Sequence, residues 1–302
     1  MGFKCGFVGL VGPTNSGKST LINALVGEKL SIVSPRPQTT YHALRGIVST
    51  PEYQIIFTDT PGFQNHPDAV PRMLNKVADR NAQDCDLLIW VFDASKPRTL
   101  IQINRLKEKI TKHPAHEKNI CVLNKVDVMD KGELLPLIAE LSKLNIFAEI
   151  IPISARKVDG VDRVFKAILD RIPEGHAFYP LDQRTDRSFS WRAAEMVREK
   201  IYRETREEVP YSVYVETEEQ TQEEGVAPAK VPTVRVVIHV DSDSRKGILI
   251  GKGGLVLKKI GTEARADIEK ILGKHICLKL FVHVESDWKN NANKLQQYLE
   301  LQ

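Results

Sequence analysis

The sequence predicts an α/β domain, built on a mixed, mostly parallel sheet with helices on both faces, followed by a smaller α+β domain. Three observations carry this reading. Short apolar runs alternate with helical patterns as far as Ile172, which is the rhythm of βαβ units. A glycine-rich run, Gly12–Ser19, stands between the first apolar run and the first helical one. The rhythm changes after Pro173, and 302 residues suffice for two domains at about 100–200 residues each.

Taken in order, strands are expected at Cys5–Val11, Ala43–Thr50, Gln54–Thr58, Leu87–Phe92, Ile120–Leu123 and Ala148–Ile153. Helices are expected at Ser19–Val26, Ile103–Thr111, Glu133–Leu144 and Val161–Arg171. Pro173, Gly175 and Pro180 fall in an aperiodic stretch that stays polar to Arg187, which reads as a linker over residues 174–188. The first domain then spans 1–173 and the second 189–302. In the second, a helix from about Ser190 to Thr205 carries Ala194, Val197 and Ile201 on one face. Strands follow at Tyr211–Glu218 and Thr233–Asp241, with a polar loop, Gln220–Lys230, between them. A glycine turn at Gly251–Gly254 opens a helix, Leu255–Leu272, with Ile260, Ala264, Ile268 and Ile271 as its stripe. A last strand, Ile276–Glu285, precedes a short polar helix.

Composition narrows the class of protein. The net charge of +4 is mild, so the placement of charge matters more than its sum. Cys5, Cys85, Cys121 and Cys277 stand singly among apolar neighbours without metal-ligand spacing, as buried, reduced thiols would. Met1–Gly12 has no basic start and no cleavage site, so it reads as a strand rather than a signal peptide. No apolar run is long enough to cross a bilayer, and the expectation is a soluble cytoplasmic protein.

Gly12-Pro13-Thr14-Asn15-Ser16-Gly17-Lys18-Ser19 fits G-x-x-x-x-G-K-[ST] in the strand–helix context that this motif requires, and Thr20 continues it. The glycines let the backbone curl so that N–H groups point at phosphate oxygens. The helix that follows offers its positive end to the same anion. Lys18 is then expected on the β- and γ-phosphates, and the Ser19 hydroxyl on Mg²⁺. Asp59-Thr60-Pro61-Gly62 ends a strand; Asp59 is the carboxylate expected to hold Mg²⁺, and Gly62 leaves its N–H free to approach the γ-phosphate.

The base is chosen by Asn124-Lys125-Val126-Asp127. A carboxylate at Asp127 accepts from both N1–H and the N2 amino group of guanine, whereas adenine presents a bare acceptor there. Leaving such a group unpaired in a closed site discriminates by roughly 10⁴ or more. Ser154-Ala155 is expected to close over the base, with the Ala155 N–H donating to O6. The nucleotide is therefore GTP or GDP.

These motifs resemble the translation-factor-like GTPases. The resemblance labels residues 30–41 as switch I and the region after Gly62 as switch II. One of Thr39 and Thr40 completes the Mg²⁺ shell; Thr40 is preferred to Thr39, although the alignment slides easily by one residue. Hydrolysis falls to Lys18, Thr40, Asn15 and Gly62. Phe63 stands where Ras-like proteins place a water-positioning glutamine, so intrinsic hydrolysis is expected to be slow. Gln64 is out of register for that role. Asn15 either shapes the loop or helps to hold K⁺ beside the phosphates.

In the second domain, Ile250-Gly251-Lys252-Gly253-Gly254 carries a G-x-x-G turn, the element with which KH domains clamp about four single-stranded nucleotides. Nine basic residues, among them Lys246, Lys252, Lys258, Lys259 and Arg265, lie between Arg245 and Lys279, against three acidic ones. Such a patch on a nearly balanced chain is an electrostatic footprint for nucleic acid.

The full set of motifs resembles the bacterial Era GTPases. It includes Gly12–Ser19, Gln38-Thr39-Thr40, Asp59–Gly62, Asn124–Asp127, Ser154-Ala155, Glu208-Val209-Pro210, Lys246-Gly247-Ile248 through Gly254, Lys258–Gly261 and Ala264-Arg265. The resemblance implies a type-II KH domain, binding to small-subunit ribosomal RNA near its 3′ end, and a role in assembling the small ribosomal subunit. It also implies a monomer, with peripheral contact to the inner membrane in some members. The alternative is an RNA chaperone for which GTP is a passive ligand.

Overall fold

A computed structural model describes residues 2–34, 36, 39–40, 43–63, 69–113, 116–218, 231–286, 288 and 291. Gln38, Gln64, the loop at 220–230 and the expected C-terminal polar helix lie outside the described residues. The chain forms two compact units, Met1–Val33 with Thr40–Asp186, and Ser34–Thr39 with Arg187–Gln302.

The first unit holds strands β1 (Lys4–Val11), β2 (Leu44–Ser49), β3 (Tyr53–Asp59), β4 (Leu87–Asp93), β5 (Ile120–Asn124) and β6 (Glu149–Pro152). They form one sheet in the order β2-β3-β1-β4-β5-β6, with only β2 antiparallel to its neighbour. Strands covered on both faces read as continuous apolar runs, and all seven residues of β4 are buried. Alternation then sorts their side chains. Leu87, Ile89 and Val91 of β4 join Val8, Leu10, Ile120 and Val122 on one face. Leu88, Trp90 and Phe92 join Val11, Cys121 and Leu123 on the other.

The helices are α1 (Lys18–Val26), α2 (Ala69–Gln83), α3 (Thr99–Lys112), α4 (Lys131–Lys143) and α5 (Val161–Arg171). Sequence periodicity did not place α2. It is polar overall and carries Pro71, and its buried stripe rests on Leu74, Ala78 and Ala82. Two small residues at helical spacing leave a weak signal.

Residues 174–186, expected as linker, pack on the first unit instead. The cause is Gln54, which is fully buried in β3. Its Oε1 accepts from the Phe178 and Tyr179 N–H groups at 2.8 and 3.0 Å, and its Nε2 donates to the Tyr179 carbonyl at 2.8 Å. The Ile47 N–H donates to the Arg184 carbonyl at 2.8 Å, and the Phe7 and Phe178 rings lie 5.0 Å apart. The polar composition that suggests a linker is thus the composition of a segment whose backbone is satisfied by its neighbours.

The second unit follows the α-β-β-α-α-β order: α6 (Phe189–Glu204), β7 (Val213–Thr217), β8 (Thr233–Val240), α7 (Asp243–Ile250), α8 (Leu255–Leu272) and β9 (Cys277–Val284). Ser188 caps α6, accepting from the Trp191 N–H at 3.1 Å. The sheet order is β7-β8-β9, antiparallel then parallel. Val236, Ile238 and Val240 meet Ala194, Val197 and Ile201 of α6 and Ile260 and Ala264 of α8 in its core. Three cysteines are buried as expected, but Cys277 is exposed at the start of the edge strand β9. No helix among the described residues is long and apolar enough to cross a membrane.

Replacing Gln54 with Leu keeps its volume but strands two amide donors and one carbonyl. Unfolding in urea is expected to show a loss of about 2–4 kcal/mol, and limited proteolysis should move to residues 174–186.

Candidate functional site

The parallel strands of the first sheet all end on one edge, and the loops leaving β1, β3, β5 and β6 converge there. The loop after β1 is shaped by positions at which only glycine fits. Gly12 has φ 139°, and a Cβ there would lie 2.3 Å from the Val91 carbonyl oxygen. Gly17 has φ 96°, and its Cβ would lie 2.1 Å from Asn124 Nδ2. Asn15, at the exposed turn of the loop, also has positive φ, 60°. A helix N-terminus follows directly at Lys18, so the loop surrounds a position of positive potential.

Lys18 is buried inside this loop. Its ammonium donates to the carbonyls of Gly12 (3.2 Å) and Pro13 (2.9 Å). Burial, only partly opposed by the Asp59 charge, pulls its pKa down to about 8. Gly62 comes close to the same group: a Cβ there would meet Thr14 N at 2.7 Å and Lys18 Nζ at 2.9 Å. The next residue, Phe63, is tied back to the loop, its N–H donating to the Gly12 carbonyl at 3.0 Å. Its ring stacks on Trp90 at 5.9 Å beneath the Lys109 ammonium at 4.1 Å. Phe63 is thereby committed to packing and offers no hydrogen bond to a water.

Three oxygen donors gather beside α1. Ser19 Oγ and Thr40 Oγ1 are 3.1 Å apart. The Thr39 hydroxyl turns away, toward Ser34 Oγ at 2.9 Å and the Arg36 carbonyl at 3.0 Å. Of the two threonines, it is the Thr40 hydroxyl that lies beside Ser19. Asp59 is fully buried; its Oδ2 accepts from Ser31 Oγ at 2.8 Å and its Oδ1 has no hydrogen-bond partner among the described residues. Burial raises its pKa above the usual carboxylate range, against the pull of Ser31 and Lys18. Hard oxygen donors around an unsatisfied buried carboxylate oxygen fit Mg²⁺. Ser31 was missed in the sequence. It is held by Asn23 of α1, whose Oδ1 accepts from the Leu30 and Ser31 N–H groups, each at 2.9 Å.

At the base end, the side chain of Asn124, itself buried, connects three motifs. Its Nδ2 donates to the Ser16 carbonyl at 2.9 Å. Its Oδ1 accepts from the N–H groups of Lys125 (2.8 Å) and Ala155 (3.0 Å). The Ala155 N–H, expected to point at a base oxygen, is directed here at Asn124. Lys125, at φ 68°, reaches back to the Asn15 carbonyl (2.7 Å) and to Asp93 Oδ2 (2.8 Å). Asp93, at the end of β4, is a second residue that motif reading missed; a carboxylate closing an otherwise apolar strand is the signal that marks it. Asp127 is oriented by the Ser154 hydroxyl, which donates to its Oδ1 at 2.8 Å.

The second unit carries its own candidate surface. Gly251, Gly253 and Gly254 all have positive φ, and a Cβ at Gly251 would collide with Val256 Cγ2 at 2.4 Å. Lys252 and Gly253 are exposed at the turn, beside Ile250 at the end of α7. The turn opens onto a cleft of about 400 Å³ lined by Gly254, Leu257, Lys258, Gly261, Thr262, Arg265, Leu278 and Leu280. Leu257, Thr262, Leu278 and Leu280 were not anticipated. They come from two elements, α8 and β9, that only the fold brings together. Lys259, predicted with Lys258, is turned to Glu204 Oε2 at 2.6 Å and does not line the cleft. Lys246, half-buried in α7, does not line it either.

Two families match this chain: "50S ribosome-binding GTPase" over residues 7–125 and "KH domain" over residues 208–289. It is 40% identical over 298 residues to GTPase Era of Ruminiclostridium cellulolyticum, covering 98% of this chain and 97% of the relative. It is likewise 40% identical over 299 residues to GTPase Era of Nitratidesulfovibrio vulgaris, covering 97% and 96%. Among solved structures it resembles Era in complex with MgGDPNP and nucleotides 1506–1542 of 16S ribosomal RNA. That match has TM-score 0.87 and 37% identity, covering 98% of both chains. It also resembles a variant of Aquifex aeolicus Era bound to GDP and AlF4⁻, with TM-score 0.87 and 36% identity, covering 98% of this chain and 99% of the other.

With the Lys18 pKa lowered to about 8, phosphate binding at this ammonium is expected to depend on pH. An anion beside the ammonium raises that pKa, so below pH 8 binding needs no proton, and above it binding must take one up. Affinity for GDP is expected to be flat below pH 8 and to fall by up to about tenfold per pH unit above it. Fluorescent-nucleotide titrations between pH 7 and 9 check this; a flat profile would contradict it.

Proposed function

This chain belongs to the Era family of GTPases, and on that premise we propose that it is a nucleotide-timed RNA binder. In this reading it grips the single-stranded 3′ end of small-subunit ribosomal RNA while GTP is bound, and so assists assembly of the small ribosomal subunit. The observation that carries the proposal is the cleft behind the Gly251–Gly254 turn. It combines an apolar floor for bases with Lys258, Arg265 and the exposed Lys252 for the backbone, which is the chemistry of single-stranded recognition. The related Era in complex with 16S ribosomal RNA supports the choice of ligand.

In the nucleotide site, the backbone of residues 12–19 and the N-terminus of α1 take the phosphates, with Thr20 continuing the helix. Lys18 exchanges its two carbonyl partners for phosphate oxygens. Ser19, Thr40 and Asp59 hold Mg²⁺, which when bound neutralises charge on the β- and γ-phosphates. Asp127, aligned by Ser154, reads the guanine edge. Lys125 lies along the loop, and Asn124 and Ala155 close the far side. The N–H of Gly62 reports the γ-phosphate.

Phe63 leaves the attacking water without a side-chain partner, so the intrinsic rate is slow. Asn15, exposed on the loop beside the phosphates, supports a monovalent cation site, with K⁺ supplying the charge that an arginine finger supplies elsewhere. The chain acts in the cytoplasm as a monomer. Peripheral contact with the inner membrane is carried over from the family resemblance alone. The packing of Phe63 also favours a second reading, in which GTP is bound but turned over negligibly and the chain acts as an RNA chaperone.

Two measurements test these readings. RNA ending in the 3′ tail should accelerate single-turnover GTP hydrolysis, and replacing Lys252 and Gly253 with Asp should abolish both RNA binding and the acceleration while sparing nucleotide affinity. Tight RNA binding without acceleration favours the chaperone reading. Hydrolysis should also run several-fold faster in K⁺ than in Na⁺ at matched ionic strength; equal rates remove the cation from the mechanism.

A further inference from the structure

Asp59 ends β3 with its backbone fixed from both sides, in register with Leu10 of β1 and Leu44 of β2. What remains free is the rotation of its carboxylate. One oxygen, Oδ2, accepts from Ser31 Oγ at 2.8 Å, a bond that is charge-assisted and shielded from water. A serine hydroxyl carries a single proton, so that donor is spent on Asp59. Oδ1 has no partner among the described residues and is the oxygen left for a cation.

Ser31 is held in turn from α1. Gly27 ends that helix in the left-handed region, at φ 76°, and its N–H donates to the Asn23 carbonyl at 3.0 Å. The chain leaving the helix passes residues 30 and 31 along the side chain of Asn23, which lies one turn beyond Ser19 on the same side of α1. Asn23 Oδ1 accepts from the Leu30 and Ser31 N–H groups, each at 2.9 Å, and its Nδ2 donates to the Ser31 carbonyl at 2.8 Å. Three bonds to one amide hold the Ser31 backbone in place, and Leu30 and Ile32 on either side of it are buried. Ser19, Asn23, Ser31 and Asp59 all belong to the α/β unit.

We propose that Ser31, clamped by Asn23, is a positioning residue for Mg²⁺: its hydroxyl fixes the Asp59 carboxylate through Oδ2 and so keeps Oδ1 for the metal. The inference rests on the reading of Asp59 as the carboxylate that holds Mg²⁺. Ser31 acts through Asp59 alone. Partners of this kind orient a ligating carboxylate, and losing one typically costs about 10–100-fold in metal affinity. The clamp also reaches further than one side chain. Asn23 shares α1 with Ser19, so the chain from Asn23 through Ser31 to Asp59 ties the helix that carries one oxygen donor to the strand that carries the other.

The test is a Mg²⁺ titration of GDP affinity in the full chain, which reads the metal without turnover. Ser31→Ala should raise the half-saturating Mg²⁺ concentration by about tenfold or more. GDP affinity measured in EDTA should stay within twofold of the parent. If the alanine variant does not fold, Ser31→Cys carries the test: it keeps the shape and weakens the donor, with an expected rise of about threefold or more. A Mg²⁺ dependence within twofold of the parent would overturn the proposal. So would an equal loss of GDP affinity with and without Mg²⁺, which marks a merely structural role.

Asp59→Asn is measured alongside. If it leaves the Mg²⁺ dependence unchanged, the reading of Asp59 falls, and the proposal with it. If it raises the Mg²⁺ requirement and the Ser31 variant does not, only the proposal falls. If both raise it, adding the Ser31 change to Asp59→Asn should cost no more than a further twofold, because the two act on one group. Fully additive losses would overturn the proposal.

Discussion

The nucleotide site depends on one side chain, the amide of Asn124. A carboxamide has two donors and two lone pairs in one plane, and three of these are assigned here to three different loops. The Ser16 carbonyl fixes the glycine-rich loop, the Lys125 N–H fixes the segment leading to Asp127, and the Ala155 N–H fixes the loop after β6. The amide sits so close to Gly17 that any side chain there would displace it. Phosphate end and base end are therefore not two independent pockets. A shift at one is transmitted to the other through a few bonds inside a buried, weakly screening environment.

That amide can serve all three because of the sheet order. Placing β1 beside β3 and β4, with β5 and β6 outward, brings the carboxyl ends of successive parallel strands onto one edge, where ligands of open α/β sheets bind. Residues in the left-handed region cluster at the same edge: Gly12, Asn15, Gly17 and Lys125. The strand–helix scaffold is rigid and apolar on both faces, and the strained backbone is confined to the loops it carries.

Much of this was legible in the sequence, for reasons that differ by element. The strands of the α/β unit were placed to within a residue or two because fully covered strands leave uninterrupted apolar runs. The phosphate loop and Asn124–Asp127 were legible because each needs particular residues at fixed spacing. What escaped depends on contacts between distant parts of the chain. Asp93, Ser31 and Gln54 are ordinary polar residues until the fold sets Lys125, Asp59 and residues 178–179 beside them. The register at Thr39 and Thr40 was ambiguous because adjacent identical residues have no local distinction; only the direction of each hydroxyl separates them. Lys258 and Lys259 are likewise neighbours that the helix sends to different sides. Cys277 follows an apolar pattern but sits on an uncovered strand face.

The two carbonyls that receive the Lys18 ammonium bear on how the site lets go. A lysine projecting into solvent would meet a phosphate with its full attraction, less hydration. Lys18 instead already rests on two carbonyl oxygens, so whatever it contributes to holding an anion is a difference between two arrangements of oxygens. When an anion departs, the ammonium has a resting position within reach on the Gly12 and Pro13 carbonyls, and no buried charge is stranded.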